Sequence, residues 1–247
     1  PPTNPEIDVG LFFPSRLMEG GVLTARLEVP WVNGRDAILR SRNKAETLAR
    51  LDAAGIPVPD IVFVSNPIEK TALTTAFERF DTPALVKPNS TSRGQGVLTV
   101  ADRNSLFGVT DYIDLLHQFP GMRDRSYLIQ EFMPAARDLR VMVIDGRVLG
   151  AVERSVPDAE VEAGRWKRNV HLGANATAID PDDTVRTLAE DTAAVLDIPI
   201  LGVDILQTDS RTVVLETNAR PTVDAKTKYE DQFYDVFAKT IRTTVNR

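Results

Sequence analysis

Gly202-Val203-Asp204-Ile205-Leu206, followed after a polar turn by Val213-Val214-Leu215-Glu216-Thr217-Asn218, is the stretch from which the fold is read. Both runs are apolar and β-branched, and Thr208-Asp209-Ser210-Arg211 separates them, so they form a β-hairpin. Glu216 and Asn218 are two apart and project from the same face of their strand. Asp204 is expected opposite Glu216; position 206 then pairs with 214 and 208 with 212, leaving a three-residue loop. That register gathers two carboxylates and one amide carbonyl on a single face. Hard divalent cations take all-oxygen ligands, and Mg²⁺ commonly combines one or two carboxylates with phosphate oxygens and water. A solvated surface hairpin carries the same residue types, and taken alone the pattern does not choose between the two. The acids do sit inside apolar runs, where an unpaired carboxylate is expensive to bury, and this favours a metal.

The rest of the chain supplies the surroundings. Ala84-Leu85-Val86-Lys87 is a strand ended by Pro88, and a Gly- and Ser-rich loop through Gly94-Gln95-Gly96 leads into a second strand, Val97 to Val100. A lysine at a strand end beside such a loop can meet phosphates, because glycine lets backbone N–H groups come close. No Gly-Lys-Ser/Thr follows, so this is not a Walker loop; an ordinary mobile hairpin is the competing reading. Tyr127-Leu128-Ile129-Gln130 is a strand running into Glu131-Phe132-Met133-Pro134. Leu139 to Ile144 and Arg147 to Val152 form a hairpin around Asp145-Gly146, a strong turn signal. Asp138 and Arg140 share a strand face, Glu153-Arg154 end the next strand, and Trp166-Lys167-Arg168-Asn169 is basic within an acidic chain. Each alone reads as a solvated ion pair; together with a metal hairpin they make a clamp for a triphosphate.

Helical periodicity is expected from Gly34 to Gly55, from Ile68 to Phe80, over 105–118, from Asp183 to Leu196 and from Gln232 to Thr243. Ile61 to Val64 is a short strand, residues 155–178 read as irregular, and residues 1–33 contain one strand-like run, Val9 to Phe13. Helices intermixed with mostly antiparallel strands make the class α+β. The expected division is 1–33 as the tail of a preceding domain, 34–130 as one lobe and 131–247 as a second.

Composition excludes several functions. The 247 residues contain no cysteine, which removes disulfides, thiolate catalysis and zinc–thiolate sites and suits a cytoplasmic location. A net charge of −6 argues against a nucleic-acid surface. No apolar run approaches the ~18–20 residues of a membrane span, and no secretory signal opens the chain; the absent initiator Met reads as a processed or trimmed start. There are two histidines: His117 in a helix reads as packing or surface, and His171 lies near the basic cluster with structural support and proton transfer equally open.

Four blocks, in order, resemble the ATP-grasp superfamily and specifically RimK-like amino-acid ligases: Ser41-Arg42-Asn43-Lys44; Lys87 with Gly94-Gln95-Gly96-Val97; Gln130-Glu131-Phe132 with Asp138-Leu139-Arg140 and Glu153-Arg154; and Gly202-Val203-Asp204-Ile205-Leu206 with Glu216-Thr217-Asn218. The resemblance covers about residues 9–245. It implies ATP held between two α+β lobes with mostly antiparallel sheets. Lys44 and Lys87 would touch the phosphates, and Gly94, Gln95, Gly96 and Val97 would form a lid. Gln130, Glu131, Phe132 and Met133 would be the linker reading the adenine, with Asp138 near ribose or adenine. Arg140, Arg154, Lys167, Arg168 and Asn169 would face the phosphates and an acyl-phosphate. Asp204, Glu216 and Asn218 would hold one or two Mg²⁺, or Mn²⁺ in its place.

The implied activity is ATP-dependent joining of a carboxylate to an amine, adding glutamate or a similar amino acid to a peptide, protein tail or small-molecule cofactor. A kinase and a non-catalytic nucleotide-binding module working with a partner chain are the competing readings, and self-association into a homo-oligomer stays open. The chain departs from the family pattern at Asn43, where Asp is usual. It departs again at Ala219-Arg220-Pro221-Thr222, where a Ser-Pro-Gly turn is usual and an effect of Arg220 on acceptor choice is expected. Of the family's preceding α/β domain, only a tail at about residues 9–33 is expected.

Overall fold

Strand β10 (Ile200–Gln207) is buried along nearly its whole length because it is an interior strand of a five-stranded sheet with packing on both faces. The computed structural model describes residues 7–91, 94–117, 124–168, 173–223 and 225–246. Chain order begins with β1 (Gly10–Phe12), α1 (Leu17–Leu27), β2 (Trp31–Asn33), α2 (Arg35–Arg42) and α3 (Lys44–Ala53). One lobe follows: β3 (Ile61–Ser65), α4 (Lys70–Phe77), β4 (Ala84–Pro88), β5 (Leu98–Val100), α5 (Arg103–His117) and β6 (Ser126–Glu131). The remainder is β7 (Arg137–Ile144), β8 (Arg147–Ser155), α6 (Asp158–Glu162), β9 (Asn175–Ile179), α7 (Asp183–Leu196), then β10, β11 (Thr212–Asn218) and α8 (Phe233–Val245).

The two larger sheets are antiparallel throughout: β3-β6-β4-β5 in the first lobe, and β11-β10-β7-β8-β9 in the second. In the first lobe Val64, Val86 and Ile129 pack with Leu73 and Phe77 of α4 and Leu106 and Ile113 of α5. On the second sheet one face carries Val141, Val143, Val203 and Ile205 against α7 and against Ile38 of α2 and Leu51 of α3. The opposite face carries Met142, Ile144 and Ile200 against Phe233 of α8 and Val32 of β2. Positions 138 and 140 share that second face with 142 and 144, as do 204 and 206 with 200, because strand side chains alternate. One end of this face is therefore core, and the other is left for a site. Among the described residues no helix is long and apolar enough to cross a membrane.

Local chemistry explains the elements that were legible. The β7–β8 turn takes Asp145 and Gly146 through positive φ (51° and 73°), as a two-residue hairpin turn requires. Helix α7 starts where the Asp182 carboxylate accepts the Val185 N–H at 2.9 Å, and its apolar stripe Val185, Leu188, Ala189, Leu196 follows the helical period.

Four expectations are corrected. The single helix from Gly34 to Gly55 is two helices, because Asn43 leaves helical geometry and caps α3: its side-chain Oδ1 accepts the Glu46 N–H at 3.2 Å while its Nδ2 donates to Glu46 Oε2 at 3.1 Å. The segment before residue 34 holds more than one strand. Helix α1 lies there, hidden from periodicity by Gly20-Gly21 and an exposed Met18, and β2 pairs in parallel with β1. The stretch 155–178 contains α6 and the edge strand β9. The pairing of 206 with 214 and of 208 with 212 is displaced by a bulge, described next.

Candidate active site

Asp204 does lie opposite Glu216, but Ile205 then pairs with Val214, Leu206 with Val213 and Gln207 with Thr212. Leu215 is an extra residue, a β-bulge, and the loop grows to four residues, 208–211. The bulge turns both Leu215 and Glu216 toward the same cleft, which neighbours on an uninterrupted strand do not share. Leu215 joins Leu206, Val213, Ala136 and Met133 in a small apolar patch at the cleft's edge.

Cross-strand register builds the polar floor. Arg140 of β7 stands opposite Asp204, and Arg154 of β8 stands opposite Asp138. Arg140 grips Asp204 in a two-pronged pair, Nε to Oδ1 at 2.6 Å and Nη2 to Oδ2 at 2.7 Å. Arg154 bridges the two acids, donating Nη2 to Asp138 Oδ1 at 2.5 Å and Nη1 to Asp204 Oδ2 at 3.2 Å. Burial opposes the charge on Asp204, yet the two guanidiniums outweigh it and hold the carboxyl below its ordinary range. Asp138 goes the other way: burial pushes its pKa up, and Arg154 only partly offsets this.

The first lobe and the start of α3 supply the lysines. Lys87, 6% exposed, donates Nζ to Gln130 Oε1 at 2.9 Å across the β4–β6 pair. Burial lowers its pKa from 10.5 to about 8, opposed by Glu216 and reinforced by Lys44. Lys44, the first residue of α3, is also lowered by burial and donates to the carbonyls of Asn89 and Thr91. The flap beyond it turns at Gly94 and Gly96, both at positive φ; a Cβ at Gly96 would stand 2.8 Å from the Pro88 ring.

One cleft between the lobes is lined by Lys44, Lys87, Gly94, Val97, Gln130, Phe132, Met133, Asp138, Arg154, Lys167, Arg168 and Glu216. Arg168 also donates to the carbonyls of Pro134 and Ala136, tying its loop to the linker. Gln95, Gly96, Glu131, Arg140, Asp204 and Asn218 do not line the cleft. Arg140 and Asp204 form its floor network. Glu131 faces away: its carboxylate accepts the Asp60 N–H at 2.8 Å and pairs with Arg211. Asn218 Oδ1 accepts the Arg220 N–H at 2.9 Å. Asn169 and His171 lie outside the described residues.

Lining residues beyond those expected include Trp166, whose ring meets Phe132 edge-on at 5.2 Å, and Leu206 and Leu215. Trp166 sat inside the basic cluster and its aromatic character was the available signal. Leu215 required the bulge. Among the described residues no group of three His, Cys, Asp or Glu side chains stands ready for a metal ion. The oxygen set is two carboxylates and an amide on one sheet face, which fits Mg²⁺ chemistry, with Asp204 shared between that role and two arginines.

Two α+β lobes facing each other across a cleft with a glycine flap, buried lysines and an acidic hairpin define the ATP-grasp class. The chain belongs to the RimK-like ATP-grasp domain family, whose model matches residues 41–242. It is 30% identical over 194 residues to a probable alpha-L-glutamate ligase of Xylella fastidiosa, covering 78% of this chain and 60% of that protein. It is 29% identical over 216 residues to the Shewanella halifaxensis protein of the same name, covering 85% and 44%. The chain thus spans less than two thirds of the length of these relatives. In fold it is similar to D-alanine–D-alanine ligase from Bacillus anthracis complexed with ATP (TM-score 0.69, 18% identity, covering 98% of this chain and 80% of that one). It is also similar to a RimK domain protein from Sphaerobacter thermophilus (TM-score 0.66, 20% identity, 97% and 81%).

Proposed function

We propose that this chain carries out ATP-dependent ligation of a carboxylate to the amine of an amino acid. The observation that carries the reading is that Lys87 of the first lobe, Lys44 at the start of α3 and Glu216 of the second sheet line a single cleft under the Gly94 flap. Cations for a polyphosphate and oxygen donors for its counter-ion therefore meet in one place.

A substrate carboxylate oxygen attacks the γ-phosphorus of ATP, the bond to the bridging oxygen breaks, and acyl-phosphate and ADP form. The amine nitrogen then attacks the acyl carbon, loses a proton, and displaces inorganic phosphate to leave an amide. Lys44 and Lys87 hold the β- and γ-phosphates, and Phe132 and Met133 pack on the base with backbone groups of the linker beside them. Arg154 and Arg168 meet the charge that develops on the transferring phosphoryl group. Asp204, Glu216 and Asn218 would hold Mg²⁺, which when bound neutralises phosphate charge. Arg140 keeps Asp204 oriented. Glutamate is the amino acid favoured by the names of the relatives, and the acceptor in this reading is a peptide, protein tail or small-molecule cofactor.

Hydroxylamine trapping tests this. Incubation with ATP, Mg²⁺ and a panel of carboxylates should release ADP and give hydroxamate with at least one acid. Phosphorylated product without hydroxamate would make the protein a kinase, and nucleotide binding without turnover would make it a binding module.

A further inference from the structure

Asn33 is fully buried, at 0% exposure, and its side chain reaches two segments far away in sequence. Nδ2 donates to the Ile200 carbonyl at 2.6 Å and to the Ala219 carbonyl at 2.7 Å, while Oδ1 accepts the Ile200 N–H at 3.2 Å. Both donors and the acceptor of the amide are in use, so the side chain stands in for a strand's peptide group at the start of β10. From the other side Ser41 of α2, 8% exposed, accepts the Ala219 N–H at 3.0 Å and the Thr217 hydroxyl at 3.1 Å. Ala219 is thus held at both its N–H and its carbonyl, and it is the residue that directly follows Asn218.

The turn leaving β11 has no sheet partner of its own beyond Asn218, which pairs with Gly202. Gly202 lets it lie close: a Cβ there would stand 3.3 Å from Pro221 and 3.7 Å from Asn218 Cβ. Asn218 itself is set by its pairing with Gly202 and by the Arg220 N–H that its Oδ1 accepts, and the pair of side chains from the N-terminal segment fixes the peptide that follows it. We propose that Asn33 and Ser41 are positioning residues: by clamping Ala219 they fix the turn that carries Asn218 beside the cation site. The segment before residue 42 is then a working wall of the catalytic face. This rests on the metal-dependent ligase reading above.

Removing the Asn33 amide leaves two carbonyls and one N–H buried without partners. Groups bonded directly to metal ligands typically change metal affinity about 10- to 100-fold; Asn33 and Ser41 act one residue removed, through Ala219, so the lower end, about tenfold, is expected here. The test uses a non-hydrolysable ATP analogue, titrated by calorimetry with and without Mn²⁺, on wild type, Asn33→Leu and Ser41→Ala. Leu106→Ala, a core change in the other lobe, is the control for lost stability. The ratio of the two affinities isolates the part that depends on the cation.

Metal-free binding, which falls to Lys44 and Lys87, should stay unchanged in all variants. The Mn²⁺-dependent gain should shrink about tenfold in Asn33→Leu and to a smaller degree in Ser41→Ala, and not in Leu106→Ala. Ser41→Ala keeps the test open if Asn33→Leu does not fold. A wild-type ratio in folded Ser41→Ala and Asn33→Leu, or an equal loss in Leu106→Ala, overturns the positioning role alone. A wild-type protein whose affinity ignores Mn²⁺ overturns the metal reading and this inference with it.

Discussion

Raising the pH should weaken nucleotide binding through a single buried amine. Burial places the Lys87 pKa at about 8 in the free protein, against 10.5 for an exposed lysine. A bound polyphosphate favours the ammonium, so binding draws in a proton whenever the free protein has lost it. If the bound form stays charged, the apparent dissociation constant scales inversely with the protonated fraction, and affinity falls about tenfold, or ~1.4 kcal/mol, from pH 7 to pH 9. Calorimetry of the analogue without metal, repeated in buffers of different ionisation enthalpy, should show uptake of about half a proton at pH 8, rising toward one at pH 9. Any proton exchange of the analogue's own terminal phosphate in this window is common to wild type and to a variant without the amine, so it cancels in their difference. Glu216, Asp138, Asp204 and Lys44 act on Lys87, and Lys44 is itself lowered by burial. Lys87→Met is therefore the control: whatever pH dependence it retains belongs to the others.

Folding stability must move in the opposite sense to affinity. Between about pH 8 and 10.5 the unfolded chain binds the Lys87 proton and the folded one does not, so stability rises with pH across that window, by about 3 kcal/mol in total. Below pH 8 the penalty of a buried charge is fully present. Urea unfolding should show this rise in wild type and lose it in Lys87→Met. Affinity that is flat from pH 7.5 to 9.5, or an undiminished slope in the variant, would refute the burial argument.

Glu216→Gln should abolish turnover with the fold retained by circular dichroism, and it should push the Lys87 pKa further down because a charge that raises it is gone; full activity would remove Glu216 from the site. Arg154→Met leaves Asp138 and Asp204 buried with only Arg140 between them, so urea unfolding should show a loss of about 3–5 kcal/mol, and a loss below ~1 kcal/mol would contradict the network. Asp182→Ala removes the cap of α7 and should lower stability by about 1 kcal/mol without changing kcat.

Much of this protein is legible from local chemistry. Period-two runs, the Asp145-Gly146 turn and the capped start at Asp182 are decided within a few residues of chain, so the hairpins and α7 follow from the sequence directly. The opposition of Asp204 and Glu216 follows too, since both belong to one hairpin. So do the lysines, glycines and acids of the four motif blocks, whose spacing is itself a local property.

What tertiary structure decided are choices among partners that look alike in one dimension. Nothing local tells Arg154 to bridge Asp138 and Asp204, tells Glu131 to turn toward Asp60 and Arg211, or tells Leu215 to bulge so that it and Glu216 enter one cleft. Asn33 is the plainest case: its partners lie 167 and 186 residues away. A buried polar group must be paired, and the sequence states that need; which donor meets which acceptor depends on the surfaces that packing brings together.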